Sequence, residues 1–578
     1  MRTCLFVLWS ACAFAADPPL DFRLSTSLDS PQVLSTVVSI TGLTAGGSGS
    51  TVWYRFRTRA EGGKYEMLRD FGPRDTLDWT VWDREGIYEM EVTAQDKGNG
   101  QTATITLRFE WLPVAKDRAV VTPTQHPLVF LYSAPTCEPG AISRVQFTAA
   151  GGWKQQTPQQ PCDGLHTMNF LIAGLLQETD YELQGFVSDK ALEPLQVRTP
   201  RLPDEFQIPI AVTGAEIPQS SNGILLYAAQ QPNYEIATDL NGNLVWYYPD
   251  AVSFITRPIT GGRLLALIAS PAGTAAQRMI EFDLLGITRK ETCAARVNEQ
   301  LTAMGKKAIA ALHHEARLLS NGHYALLATR MQSLTDVQGS GAVNVIGDVI
   351  LVLDQDLNVV WTWDAFENLD PHRSAVLNET CRTGGCPPTY KAPLAHDWTH
   401  GNSLQLTPDG ALLYSSRHQD WVIKINYENG KGDGHILWRL GKDGDFRMDS
   451  TDPAPWFSHQ HDAHFLAGDV LRIALFDNGN TRLVTNAEGH SRGQVIEIDE
   501  TNRTARLVLN ADLGVVSNAL GSAQALQDGR YHFNAGTVPN ESSLHLEVDG
   551  EGKVIRSLKL PETAYRSFRM ADLYSGVE

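Results

Sequence analysis

The chain has 578 residues, of which 42% are hydrophobic and 20% charged, enough for more than one folded core. Its formal charge of −18 comes with no basic stripe, which excludes a nucleic-acid partner. Beyond the first residues no apolar run is long enough to cross a bilayer, which excludes stable membrane insertion.

The N-terminus opens with Met1-Arg2-Thr3, continues through an apolar stretch from Cys4 to Phe14 and ends on Ala13-Phe14-Ala15, a small-x-small cleavage pattern. This predicts a signal peptide over residues 1–15 and a periplasmic or secreted protein. A lipoprotein signal ending at Cys12 fits less well, because Trp9 stands where a small aliphatic residue belongs. Export places the cysteines beyond the signal in an oxidising compartment. Cys381 and Cys386 close the short loop Cys-Arg-Thr-Gly-Gly-Cys and are predicted to form a disulfide. A zinc site there lacks a second cysteine pair. Cys137 and Cys162 lie close enough in sequence to pair, which would leave Cys293 buried and free, though the pairing among these three stays open.

Residues 16–112 read as a β-sandwich. Runs such as Thr51-Val52-Trp53-Tyr54-Arg55-Phe56 and Tyr88-Glu89-Met90-Glu91-Val92-Thr93-Ala94 alternate apolar and polar residues between Gly- and Asp-rich turns. The spacing suits an immunoglobulin-like or fibronectin-like module. Residues 113–203 repeat the pattern with Leu128-Val129-Phe130-Leu131-Tyr132 and Tyr181-Glu182-Leu183-Gln184-Gly185-Phe186-Val187, and Thr199-Pro200-Arg201-Leu202-Pro203 reads as a linker.

Residues 204–578 carry an internal repeat. Its unit is an Asn-Gly or Asp-Gly turn, an apolar strand, a loop, a strand ending on Asp, and a strand often bearing Trp. It is visible at Asn222-Gly223 leading to Leu244-Val245-Trp246-Tyr247. It recurs at Asn321-Gly322 leading to Val359-Val360-Trp361-Thr362-Trp363, and at Asp409-Gly410 leading to Ile436-Leu437-Trp438-Arg439. Weaker copies begin near Gly261, Gly468 and Gly529. Six copies of about sixty residues, with little helical periodicity, predict an all-β chain whose main domain is a six-bladed β-propeller. The Gly pairs supply positive φ at hairpin turns. The tryptophans read as packing between blades, since a quinone stack would need one in every copy.

Eleven of the sixteen histidines fall between His313 and His464, eight of them in short runs. These are His313-His314-Glu315, then His396-Asp397-Trp398-Thr399-His400, then Ser416-Arg417-His418-Gln419, then His459-Gln460-His461-Asp462-Ala463-His464. Imidazole can be nucleophile, proton carrier or metal ligand near neutral pH. A propeller would bring equivalent positions of different blades to its axis. Beside one arginine, such a set suits transfer of an anionic or acyl-type group.

Taken together, His313-His314-Glu315, His400-Gly401-Asn402-Ser403, Ser415-Ser416-Arg417-His418-Gln419, Gln460-His461-Asp462-Ala463-His464 and Phe476-Asp477-Asn478-Gly479 resemble the motifs of bacterial arylsulfate sulfotransferases, over about residues 205 to 578. The resemblance implies transfer of a sulfuryl group from an aryl sulfate donor to a phenolic acceptor through a sulfohistidine, without a nucleotide cofactor. It implies His461 as nucleophile, with His314, His400 and Arg417 around the sulfuryl group and Asn402 and His313 binding substrate. The choice between His313 and His314 stays open, as does a homo-oligomeric state. No P-loop or Rossmann glycine run is present, so no cofactor is expected. Two other readings compete. His459-x-His461-x-x-His464 carries metal-type ligands, although on a regular strand His464 faces away from the other two. A propeller can also bind a protein or glycan without catalysis.

Overall fold

A computed structural model describes residues 17–577, apart from 153, 209, 215–222, 230–234, 253, 271–272, 384–385, 387–393, 486–487 and 541. The predicted signal peptide, Asn222 and the Gly384-Gly385 pair lie outside the described residues. The chain is all-β. Its α-helices among the described residues are the short segments Ala294–Ala303, Ala365–Asn368 and Asn480–Thr485.

Two layers make up the first hundred residues. Asp21–Thr26, Val38–Ala45 and Thr76–Trp79 form one antiparallel sheet, and Val52–Ala60, Glu66–Gly72, Gly86–Asp96 and Thr102–Leu112 belong to the other. Alternation along these strands sends Val38, Ile40, Phe56, Val92 and Trp111 between the layers. A second pair of sheets follows, one built on Phe130–Ala134 and Met168–Ile172, the other on Ile142–Ala149 and Asp180–Val187. Cys137 and Cys162 are joined by a disulfide here.

From residue 211 onward the chain forms six four-stranded antiparallel meanders. The innermost strand of each, in ring order, is Ala564–Met570, Phe254–Ile259, Ala311–Leu318, Gly401–Leu406, His461–Phe465 and Ser522–Ala525. Each inner strand lies beside the next, and the last returns to the first. We number the units one to six in that order. Two pairings close the ring. The C-terminal strand Ala564–Met570 pairs with Ile224–Ala229, and Ala211–Gly214 extends unit six by pairing with Val554–Leu560. Backbone hydrogen bonds thus bind the two ends of this region to each other and leave fewer free sheet edges.

The sequence repeat is offset by one strand from these units. The turns at Gly261, Gly322, Gly410, Gly468 and Gly529 all have positive φ and connect the inner strand to the second strand. His313, His314, His400, His461 and His464 therefore sit in or next to an innermost strand, whereas Arg417-His418 follows the second strand of unit four. The tryptophans occupy outer strands and reach the next unit. Trp246 Nε1 donates to the Leu284 carbonyl, Trp361 and Trp363 to the Gly432 and Gly434 carbonyls, and Trp438 to Glu500.

The N-terminal sandwich is fused to unit two. Glu66–Gly72 pairs in parallel with Thr288–Cys293 at Arg69 and Glu291, making one nine-stranded sheet. A single apolar core runs from Phe22 through Phe170 to Trp246 and Phe282.

Candidate functional site

The inner strands of units three, four and five all break register at the same level. The bulges fall between His313 and Ala316, Gly401 and Ser403, and His461 and His464. Near each break a non-glycine residue has positive φ: His314 (54°), His400 (49°) and Asp462 (54°). Such backbone costs about 1–3 kcal/mol per residue, and it concentrates where side chains must be aimed at the axis. His459 and Asp420 add two more, at 52° each.

The bulges bring three imidazoles and Tyr565 together. The His314 and His400 rings lie 4.8 Å apart, and Tyr565 is 5.6 Å from His314 and 6.1 Å from His461. All of these residues are buried, as is Arg417.

His461 is fixed by Asn478. The Asn478 amide nitrogen donates to the Ser517 carbonyl at 2.6 Å and the Leu520 carbonyl at 3.0 Å. Its Oδ1 must therefore face His461 Nδ1, 2.6 Å away, and accept that proton. The lone pair is left on Nε2. Burial, then the Arg417 charge, hold the His461 pKa well below 6.5, so the ring is neutral. Gln460, just before it, donates to Ser415 Oγ and to the Ser416 and Trp421 carbonyls.

His400 Nδ1 lies 2.6 Å from Asp397 Oδ2. His314 shares a proton with His313, Nδ1 to Nδ1 at 2.7 Å, and burial followed by its histidine neighbours drives its pKa down. Of the two, His314 meets His400 and Tyr565, whereas His313 turns toward Asp348, 3.2 Å from its Nε2. Arg417 donates Nη1 to His418 Nε2 and Nη2 to the Asn518 carbonyl at 3.0 Å, while its Nε has no hydrogen-bond partner among the described residues. Asn402 spends its amide hydrogens on the Gln460 carbonyl at 2.7 Å, so it braces the strand entering His461.

Sequence reasoning missed the layer beneath. Glu315 and Asp462, next in sequence to His314 and His461, meet two buried arginines. Arg257 donates to Glu315 at 3.0 and 2.8 Å and to Asp462 at 2.8 Å. Arg566 donates to Glu315 at 3.0 Å and to the Asn402 carbonyl at 2.5 Å. Burial opposes ionisation of Glu315, but Arg257 and Arg566 outweigh it and lower its pKa. Two cations and two anions from four units thus tie the inner strands together directly beside the histidines. Only the adjacency of Glu315 to His314 and of Asp462 to His461 hinted at this. Arg257 and Arg566 sit in strands with no motif.

The set His459, His461 and His464 does not converge. His461 is held by Asn478, His464 Nδ1 donates to the Asp462 carbonyl, and His459 lies between Asp420 and Glu379. Among the described residues, the groups with ligand atoms close enough to share a metal ion are Glu379-His418-His459 and Asp397-His400-His418. His418 Nε2, which faces Glu379, is engaged by Arg417, and its Nδ1, which faces Asp397, donates to the Asp397 carbonyl. Cys381 and Cys386, in the loop ahead of His400, are disulfide-bonded.

The arrangement offers a neutral imidazole nitrogen, a carboxylate-bound histidine and an arginine with unused donors, all of them buried. That equipment suits an anionic electrophile. A comparison with curated proteins gives no match. The Arylsulfotransferase (ASST) family model matches residues 211–567, which spans the six units and every site residue above, and the chain belongs to that family.

Proposed function

We propose that the protein is an exported aryl-sulfate sulfotransferase that works through a sulfohistidine on His461. The observation that carries this reading is the Asn478–His461 bond, which leaves Nε2 of a neutral ring with its lone pair. In the first displacement Nε2 attacks sulfur, the sulfur–oxygen bond to the aryl group breaks, and the phenolate leaves. His400, supported by Asp397, gives the leaving oxygen its proton. In the second, a phenol loses its proton to His400 and attacks sulfur. The nitrogen–sulfur bond breaks and His461 is restored. Arg417 and His314 donate to the sulfuryl oxygens, where negative charge builds. His313 and Asn402 hold these groups in place. No nucleotide is required.

The cyclic order of six meanders supports a six-bladed propeller over residues 204–578, with the two sandwich modules at 16–112 and 113–203 ahead of it. The two disulfides and the signal-like N-terminus support export to the periplasm or beyond. No described helix is long and apolar enough to cross a membrane.

The test is turnover of a chromogenic aryl sulfate with and without added phenol. Transfer should follow ping-pong kinetics, and a trapped intermediate should carry the sulfuryl mass on the peptide containing His461. His461→Ala should lose nearly all activity. Near-normal turnover in that variant would refute the mechanism, and product release only to water would make the protein a sulfatase.

A further inference from the structure

Arg417 is a buried cation that makes no ion pair with a described carboxylate; Glu379, Asp397 and Asp420 act on it only through space. A buried charge without a partner is costly, so the compensation must come from the next layer. Its geometry is specific. His418 donates Nδ1–H to the Asp397 carbonyl at 2.6 Å, which leaves Nε2 as an acceptor for Arg417. Glu379 Oε1 lies 4.0 Å from that same His418 Nε2. Glu379 is in turn gripped by His459 Nε2, whose Nδ1 lies 2.9 Å from Asp420 Oδ1. With a carboxylate on each nitrogen, His459 must donate from both and is an imidazolium. Burial works against that charge, but the two carboxylates overcome it and raise its pKa. Asp420 is itself anchored by Thr481 Oγ1 at 2.8 Å and by the His459 backbone N–H at 2.7 Å.

We propose that Glu379 is a counter-charge for Arg417 held deliberately at one remove, and that His459 is the positioning residue that keeps it there. A carboxylate bonded directly to Arg417 would occupy the donors that the sulfuryl oxygens need. With neutral His418 accepting from Arg417 Nη1, Glu379 offsets the guanidinium from beyond ion-pair distance without competing for its donors. His459 prevents Glu379 from moving onto Arg417. The inference rests on the sulfuryl reading of the site and adds His459 and Glu379 to it as residues that touch no substrate.

The test is a double-mutant cycle on donor kinetics. His459→Gln frees Glu379, so KM for the aryl sulfate should rise roughly tenfold or more, as expected when a charge-assisted bond faces a competitor. Adding Glu379→Gln to His459→Gln removes the competitor and should restore most of that loss. Glu379→Gln alone should bind inorganic sulfate, a competitive probe, no more weakly than the parent. If the double variant is as poor as His459→Gln or worse, or if Glu379→Gln weakens sulfate binding severalfold, the proposal is overturned. Should His459→Gln fail to fold, sulfate binding to Glu379→Gln decides alone. Failure of the sulfuryl reading is distinguished by His461→Ala, which would then keep its turnover whatever the cycle shows.

Discussion

Asn478→Ala is the sharpest probe of how the proposed nucleophile, His461, is prepared. The Asn478 side chain makes three bonds: Oδ1 accepts from His461 Nδ1 at 2.6 Å, and Nδ2 donates to the Ser517 and Leu520 carbonyls at 2.6 and 3.0 Å. Truncation leaves a buried imidazole N–H without an acceptor and releases the ring to rotate or change tautomer. An unmade buried hydrogen bond costs about 1–3 kcal/mol. Because the loss falls on the reactive tautomer, it should appear as a fall in kcat of roughly 5- to 150-fold. Donor KM should change less, since the Asn478 side chain is spent on His461 and two carbonyls. Asn478→Asp is the informative companion. A carboxylate can still accept from Nδ1, so the tautomer survives, but it now meets two carbonyls that need donors. It should be less active than the parent, and its added negative charge should raise the His461 pKa and move the acid limb of the rate profile upward. Initial rates of nitrophenolate release with saturating phenol would measure both. If Asn478→Ala keeps kcat within about threefold of the parent, the bond does not set the tautomer and the reasoning fails.

Three further outcomes follow from the surroundings. Glu315→Ala should destabilise the fold by about 3–5 kcal/mol in denaturant unfolding, because Arg257 and Arg566 would remain buried against Asp462 alone; a change under 1 kcal/mol would show that the ionic layer is dispensable. Stability should also drop on acidification. His461, His314 and His418 are held well below 6.5 and His532 is pushed down to about 3, in each case by burial first. A depressed histidine favours the folded state above its unfolded pKa, so this contribution is full above 6.5 and is lost as pH falls below it; a thermal midpoint flat from pH 7 to 4 would contradict these environments. Finally, Cys293 is buried and burial raises its thiol pKa, so it should resist a thiol reagent in the native protein and react once unfolded, while non-reduced peptide mapping finds Cys137 with Cys162 and Cys381 with Cys386.

Much of the scaffold was legible because it is written locally. Gly322 and Gly410 mark hairpin turns by their need for positive φ, and the tryptophans of the outer strands recur with the same period. The offset of one strand was not legible. The inner strand of unit one is Ala564–Met570, over three hundred residues from the strand it pairs with, and no local signal announces such a closure. The four candidate site residues stood out because imidazole and guanidinium are rare in close-spaced runs. Asn478 lay inside a quoted motif, but its role depends on Ser517 and Leu520, which orient its amide from the following loop. Glu379 and His459 meet across eighty residues, and Arg257 reaches Asp462 across two hundred and five. Pairings of that kind leave no trace in spacing.

By itself, the sequence determined the all-β class, the family resemblance and the cysteines available to pair, since each follows from residue type and short-range pattern. Only the tertiary structure decided which nitrogen of His461 is free, which of His313 and His314 lies beside His400, and which groups surround Arg417. Those outcomes depend on angles and distances of a few ångströms among groups that the folded ring alone brings into contact.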